Sequence, residues 1–380
     1  LGVSAGVLVL LCLAGAAALL WPRSRGPLRL ETGDGPNSIV VGDLDGDEIP
    51  EILCANFGSG DLTLIRNRGA RNLECAPRLP IGRNPHTMRG ADLDGDGNLD
   101  LVASSFGAEA LSLCWGKGRA AFEPPVEIVT AAGPAGIAVA DLDGDGKLDL
   151  ASGHVASKCV QLHWNDWNDK PRQFTSGGKV ELEGKVYALA AGDFDRDGRA
   201  DLAAVGGGGN LWLLKNQGGR SFVPVPGFTV GAEPNDVLAA DLDGDGDLDI
   251  IAANRGGSRT KAPFGLSLLL NGGSGAFEAP RGLAPGQRAF SVAAADLDRD
   301  GRTDLVFTED FANRVTILRQ TGPGSFEEAV QSRSAIVDAT LTVLFRPKPP
   351  DLKPVRKAAK PVKSRVGRHE SVTSGEMLLS

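Results

Sequence analysis

Between residues 34 and 331 polar and apolar positions alternate in short runs that stop at Gly, Asn or Asp and start again, the period-two signature of strands. One run leads into an acidic stretch: Ser38-Ile39-Val40-Val41, Gly136-Ile137-Ala138-Val139-Ala140, Val186-Tyr187-Ala188-Leu189-Ala190 and Ser291-Val292-Ala293-Ala294. A second leaves it, as in Leu99-Asp100-Leu101-Val102, Leu248-Asp249-Ile250-Ile251 and Asp304-Leu305-Val306-Phe307. A third follows a short turn: Asp61-Leu62-Thr63-Leu64-Ile65, Leu211-Trp212-Leu213-Leu214, Leu266-Ser267-Leu268-Leu269-Leu270 and Arg314-Val315-Thr316-Ile317-Leu318. Then a Gly/Asn turn, such as Asn216-Gln217-Gly218-Gly219 or Asn271-Gly272-Gly273, leads to Phe122, Phe174, Phe222, Phe277 or Phe326 and a weaker fourth run. Strands joined in this way predict one antiparallel sheet per repeat. Such a sheet cannot bury both faces alone, whereas radially stacked sheets cover each other. The pattern therefore predicts an all-β fold, a β-propeller of four-stranded blades. The Ala, Gly and Val of the first run suit the crowded position nearest the axis.

The stretch that these runs surround is Asp92-Leu93-Asp94-Gly95-Asp96-Gly97-Asn98-Leu99-Asp100, with near copies starting at Asp43, Asp141, Asp193, Asp241 and Asp296. Successive starts lie 49, 49, 52, 48 and 55 residues apart. A period near fifty marks a repeat array, here of six repeats. Leu28 to Glu31 resembles a fourth strand without its blade, and Ser334 to Phe345 a first strand that has lost its acidic loop. Together they would form a degenerate closing blade, so a seven-bladed ring and a six-bladed ring both fit.

Charge changes the picture at the two ends. The net charge is −8, with +2 in the first 25 residues and +6 from Arg346 onward, which leaves −16 for the middle. Of the acids there, 26 sit inside the six nine-residue stretches, an arrangement that is unfavourable unless cations neutralise it. Leu1 to Trp21 carries no charged residue and is followed by Arg23 and Arg25. As a helix it would be about 30 Å long, enough to cross the hydrocarbon core. Ala14-Gly15-Ala16 or Ala16-Ala17-Ala18 would equally end a cleaved signal. Residues 1–25 thus read as a signal peptide or N-terminal membrane anchor, residues 26–345 as the propeller, and residues 346–380 as a basic, Pro-rich disordered tail (Pro347, Pro349, Pro350, Pro354, Pro361). The tail is either merely solvated or in contact with an anionic surface. The chain is expected to be exported, to the cell surface, the periplasm or the extracellular space. It is expected to be monomeric, with a membrane tether through 1–21 if the segment is retained, and nothing in it points to nucleic acid.

Carboxylates at positions 1, 3 and 5 of a tight loop can converge on one point: Asp43, Asp45 and Asp47; Asp92, Asp94 and Asp96; Asp141, Asp143 and Asp145; Asp193, Asp195 and Asp197; Asp241, Asp243 and Asp245; Asp296, Asp298 and Asp300. Hard oxygen ligands in this number select calcium over softer-ligand metals. An EF-hand would need an acid at position 12, where Cys54, Ala103, Ser152, Ala204, Ala252 and Phe307 stand instead. The loop closes at position 9, with Glu51, Asp100, Asp149, Asp201, Asp249 and Asp304. Position 7 varies (Ile49, Asn98, Lys147, Arg199, Asp247, Arg302), as expected if only its backbone carbonyl binds. Gly at position 6 eases the sharp turn. The first loop has Glu48 there, and Glu51 in place of Asp, so it is expected to be the weakest of about six structural calcium sites.

This pattern resembles the FG-GAP/VCBS-type repeats, whose calcium loops lie between strands of propeller blades, as in the integrin α-subunit head. The resemblance covers about residues 34–331. The Phe-Gly element appears only as Phe57-Gly58 and Phe106-Gly107, and no Gly-Ala-Pro follows, which is closer to the bacterial VCBS branch. The resemblance implies placement outside the cytoplasm and adhesion or ligand binding, and it fixes no ligand.

Cys54, Cys75, Cys114 and Cys159 are even in number, compatible with one or two disulfides or with buried thiols. His86, His154, His163 and His369 lack zinc-ligand spacing. His154 falls where other repeats carry Asn56, Ser105 or Asn254, positions that would either line a ligand face or serve as polar turn residues. In the third repeat the turn widens to Trp164-Asn165-Asp166-Trp167-Asn168-Asp169-Lys170. Trp164 aligns with Leu270 and should be packed, while Trp167 either stacks on a sugar ring or folds back on the blade rim. The insertion Arg255 to Phe264 is a second contact loop or slack. The functional reading is a calcium-stabilised binding, adhesion or scaffold module for a protein or glycan ligand, and not an enzyme. A polysaccharide lyase-like enzyme is the competing class; it needs a base and charge-neutralising groups in one pocket. Few His, a single Tyr (Tyr187) and no acid/base cluster outside the loops speak against it. A purely structural spacer is the third reading.

Overall fold

The computed structural model describes residues 30–47, 49–69, 72–166, 172–256, 265–298, 300–309, 314–328 and 340–343. Every regular element among them is a strand, and no helix among them is long and apolar enough to cross a membrane. The segment 1–25, the tail 346–380 and Trp167 lie outside the described residues, as does most of the Arg255 to Phe264 insertion.

Each repeat folds as an antiparallel meander. In the fourth, Val186–Gly192 pairs with Asp201–Gly206, which pairs with Asn210–Asn216, which pairs with Phe222–Thr229. The other five follow the same order, and the first adds the short strand Leu79–Pro80 on its third strand. The inner strands are Pro36–Gly42, Pro85–Ala91, Pro134–Ala140, Val186–Gly192, Pro234–Ala240 and Ser291–Ala295, and each packs on the next in chain order. Small residues permit this crowding: a Cβ on Gly136 would stand 2.7 Å from Ala188 Cα of the next inner strand.

The core lies between blades rather than within them, as radial stacking requires. Leu142, Val160 and Leu162 of the third blade pack with Leu189, Leu202 and Leu214 of the fourth. Leu53 and Leu64 of the first pack with Met88 and Leu101 of the second. Burying such side chains contributes roughly 1.5–3 kcal/mol each, so the ring is held by its interfaces.

The result is a six-bladed propeller; no seventh sheet is present among the described residues. Of the two segments expected to seed a closing blade, Leu30 and Glu31 form no strand, and Leu28 and Arg29 lie outside the described residues. Thr340–Val343 forms one strand, parallel to Pro36–Gly42 and against Ser291–Ala295. No acidic nonapeptide follows it in the sequence, which soon becomes rich in Pro and Lys.

Two alternatives that the sequence leaves open are decided. Cys54, Cys75, Cys114 and Cys159 are all free thiols, and burial pushes Cys54 and Cys114 up to about 12 and Cys159 up to about 11. Asn56, Ser105, His154 and Asn254 do not line a ligand face, because all four are fully buried. Three of them face polar partners on the third strand: Asn56 Nδ2 donates to Thr63 Oγ1 (3.0 Å), Ser105 and Ser112 share a 2.6 Å hydrogen bond, and Asn254 Nδ2 donates to Ser267 Oγ (3.0 Å).

In the third blade this buried row holds two histidines. Ser152 Oγ lies 2.9 Å from both His154 Nε2 and His163 Nε2. Desolvation pushes both imidazoles down to about 4; Lys179 adds to this at His154, and His154 adds to it at His163. The folded state therefore binds fewer protons than the unfolded chain between pH 4 and 6.5. Stability is thus full above about pH 6.5, falls progressively as the pH drops from 6.5 to about 4, and levels off below that. The expected loss is on the order of 1 kcal/mol per histidine between pH 7 and pH 5. Denaturant unfolding across this range should show a clearly flatter pH dependence for a His154→Gln/His163→Gln variant; the same slope in both proteins would exclude the assignment.

Candidate metal centres in the acidic loops

Each acidic stretch turns the chain from the inner strand into the second strand, and its own backbone shapes it. The position 5 carboxylate accepts the N–H of position 7 in every loop, for example Asn98 N to Asp96 Oδ1 at 2.8 Å and Asp247 N to Asp245 Oδ1 at 2.7 Å. The position 1 carboxylate takes N–H groups from positions 4, 5 or 6, such as Gly144 N and Gly146 N on Asp141 at 2.8 and 3.0 Å. Position 6 glycines sit at φ of 85–86° in the last five loops (Gly97, Gly146, Gly198, Gly246, Gly301), a region that costs other residues strain.

These turns bring carboxylates together. Asp43, Asp45 and Glu51 can each place an oxygen within 4.8 Å of the others. So can Asp92, Asp94 and Asp96; Asp141, Asp143 and Asp149; Asp193, Asp195 and Asp197; and Asp241, Asp243 and Asp249. Asp296 and Asp304 repeat the same hydrogen-bond pattern in the sixth loop. Asp45 Oδ1 and Asp92 Oδ1 are buried without a hydrogen-bond partner. Several oxygens with unused lone pairs around one small space fit a hard divalent cation.

Position 9 does more than close the set. In all six loops its two oxygens bridge the N–H of loop position 2 and the N–H at the end of the third strand. Asp100 accepts from Leu93 N (2.8 Å) and Gly116 N (2.7 Å), Asp149 from Leu142 N (3.0 Å) and Asn165 N (2.8 Å), and Asp249 from Leu242 N (2.7 Å) and Asn271 N (2.8 Å). Glu51, Asp201 and Asp304 make the equivalent pairs. Burial pushes Asp100, Asp149 and Asp249 up to about 7 and Asp201 up to about 6, against the pull of those N–H donors. A cation in the loop would favour the ionised form.

Two sets of residues around the loops escaped the sequence reading. The first is a latch from the following blade onto the position 2 carbonyl. Ala120 N donates to Leu44 O (2.7 Å), Asn165 Nδ2 to Leu93 O (2.9 Å), Asn216 Nδ2 to Leu142 O (2.8 Å), Asn271 Nδ2 to Phe194 O (2.8 Å) and Gln320 Nε2 to Leu242 O. The signal was visible as an amide side chain closing the third strand in repeat after repeat, but its partner lies more than seventy residues away. Asn216 also donates to Ala200 O (2.9 Å), so Asn216→Ala leaves two carbonyls unpaired. It should destabilise by about 2 kcal/mol, read as a lower denaturation midpoint with an unchanged slope.

The second set consists of basic residues. Arg172 binds Asp94 (2.8 Å) while its guanidinium stacks 5.1 Å from the Trp115 ring, and Arg220 does the same with Asp143 (2.7 Å) and Trp164. Lys215 pairs with Asp195. Position 7 side chains take part as well: Lys147 Nζ lies 2.9 Å from Asp145, and Arg199 and Arg302 pair with Asp197 and Asp300. Part of the acidic repulsion is thus offset by the protein's own cations. The buried pair Arg89 and Asp236, on inner strands of the second and fifth blades, is a separate charged element near the axis; each offsets part of the other's desolvation.

Solved structures with the same fold are distant in sequence. A putative 6-phosphogluconolactonase from Bacteroides uniformis is 14% identical, with a TM-score of 0.58 over 80% of this chain and 87% of that one. BBS1N, solved in complex with ARL6DN, is 11% identical, with a TM-score of 0.53 over 82% and 85%. Virginiamycin B lyase from Staphylococcus aureus is 14% identical, with a TM-score of 0.51 over 78% and 84%. No curated protein matches the chain. The FG-GAP-like repeat pattern matches residues 43–103, 92–152, 193–252 and 241–307, more than half of the sequence and centred on the acidic loops. With six such loops in one propeller, the chain belongs to the FG-GAP-like repeat family.

Proposed function

We propose that this protein is a calcium-stabilised binding or scaffold module that works outside the cytoplasm. The observation that carries this reading is the set of converging carboxylates repeated from blade to blade, two of them with buried oxygens lacking a partner. The acids at positions 1, 3, 5 and 9 would hold the cation, together with the position 7 carbonyl; when bound, calcium neutralises the carboxylates and ties the inner strand to the second. Sites of this kind bind at about 0.1–1 mM, concentrations of free calcium met outside the cytoplasm. The apolar, Arg-flanked segment 1–25 supports the same placement. Metal analysis with calorimetric titration tests the metal, and protein and glycan arrays read with and without calcium separate a binder from a spacer. Absence of bound calcium at 1 mM, about the upper end of that range, would overturn the reading.

A polysaccharide-degrading enzyme is the second reading, favoured by one observation. His86, Tyr187, Glu233 and Arg255 converge on one cavity, although nothing in the sequence places them together. Elimination needs a base matched to the working pH, whereas burial pushes His86 down to about 4, leaving it a weak one. Turnover of an acidic polysaccharide, abolished by Tyr187→Phe or His86→Gln, would establish this reading over the first.

A further inference from the structure

The six repeats are nearly uniform at their loops and differ at one inner-strand position. The second residue of the inner strands is Asn37, His86, Ala135, Tyr187 and Asn235, and Phe290 immediately precedes the sixth. In the first five blades the ladder with the second strand breaks register at this point, between Pro36 and Ser38, Pro85 and Met88, Pro134 and Ile137, Val186 and Ala188, and Pro234 and Asp236. A bulge of this kind re-aims a side chain and is frequent beside functional sites. Here it recurs at one level of the ring, and five of the six side chains at that level line a single cavity of about 320 Å³. The cavity lies at the opposite end of the inner strands from the metal loops, ~20 Å of extended chain away.

The chemistry of the wall is mixed. Asn37 Nδ2 donates to His86 O (2.7 Å) and Asn235 Nδ2 to Phe290 O (3.1 Å), so both amides are fixed with their oxygens left to accept. His86 is neutral at physiological pH, and its ring is engaged by the Ala135 backbone and by Thr87 Oγ1 (3.4 Å), so it shapes the wall. Tyr187 and Phe290 present aromatic surface, and the Arg255 guanidinium lies 5.3 Å from the Phe290 ring centre. One acid, Glu233, faces one base, Arg255, so the wall has no net charge.

We propose that this axial pocket binds a neutral saccharide unit, as a free sugar or as the end of a glycan. Aromatic faces stack on the apolar face of a pyranose ring. Fixed amide oxygens and a carboxylate accept from its hydroxyls, while Tyr187 and Arg255 donate to them. A charged ligand would leave Glu233 or Arg255 beside a like charge in a partly desolvated site. The volume is at the lower end of the range for small-molecule sites, about 300–1,000 Å³, which suits a short unit rather than a polymer chain. The inference rests on the binding-module reading and names its ligand and its face.

Calorimetry and saturation-transfer NMR on the full chain in calcium test it, with glucose, galactose, mannose, their N-acetyl amines and common disaccharides as probes and glucuronate and galacturonate as the charged set. At least one neutral sugar should bind with a Kd of about 1 mM or tighter. Tyr187→Ala should weaken it at least about tenfold, as loss of a central aromatic contact does, with the melting curve unchanged. Asn235→Ala serves the same purpose should the Tyr187 variant fail to fold. Glycans immobilised by their reducing ends distinguish the two sources: tighter binding than the free unit indicates a glycan end, equal binding a free sugar, and both support the pocket. Binding only of uronates, binding unaffected by both variants, or no binding by folded, calcium-loaded protein would each overturn the proposal. The last outcome leaves the calcium reading standing, and sugar binding without calcium uptake would do the converse.

Discussion

Removing calcium is expected to lower the melting temperature of this propeller by more than any single substitution, on the order of 15 °C. A site with Kd ~0.1 mM at ~1 mM free calcium contributes about 1.4 kcal/mol. Six independent sites would sum to ~8 kcal/mol, comparable to the net stability of a whole domain. The effect would be large because a bound cation would answer a defect that the protein only partly corrects by itself. Arg172, Arg220 and Lys215 each neutralise a position 3 carboxylate, yet burial still pushes Asp100 and Asp149 up to about 7 and Asp201 up to about 6 in those same loops. The metal-free chain should therefore fold, but weakly. Calorimetric scans in chelator and in calcium check this, with metal content measured on the same samples. No bound calcium together with unshifted melting would sink the structural role of the loops.

Replacing the position 9 acid should cost more than replacing any other acid of the same loop, even without metal. Asp249→Ala removes both acceptors of Leu242 N and Asn271 N, and Asp249 is itself fully buried. Two buried N–H groups left unpaired cost roughly 1–3 kcal/mol each, so about 3 kcal/mol or more is expected in chelator. Asp245→Ala at position 5 loses an exposed carboxylate holding one N–H and should cost under about 1 kcal/mol. In calcium both variants lose affinity, and the gap between them narrows. Asp249→Asn keeps one acceptor and covers the case in which Asp249→Ala does not fold. Equal costs in chelator would mean that position 9 acts as a metal ligand alone.

How much of this was legible beforehand follows from the range of the interactions. Strand periodicity and turn chemistry are local, so Val186–Gly192, Asp201–Gly206 and Asn210–Asn216 stand where the alternation puts them. The glycines of position 6 are needed for a backbone angle set within the loop itself. The latches were not legible, because Asn216 and Gln320 find their carbonyls 74 and 78 residues back, on another blade. Whether Asn56, Ser105, His154 and Asn254 line a ligand face was left open for a related reason. Polar residues at the end of a strand look exposed until the neighbouring blade covers them, and here each finds a partner (Thr63, Ser112, Ser152 and Ser267) beneath that cover.

The sequence by itself determined the unit: strands of a given period around a loop whose carboxylates suit a hard cation, repeated until the units can only stack. The tertiary structure decided the number of blades, because closure depends on whether Thr340–Val343 can gather a sheet around it, and nothing local specifies that. It alone revealed that each position 9 carboxylate is a hydrogen-bond bridge, whatever it ligates. It also brought His86, Tyr187, Glu233 and Arg255 to one cavity from three blades. A ring places equal registers of distant repeats side by side at its axis, and that proximity is a property of closure, which no stretch of chain carries alone.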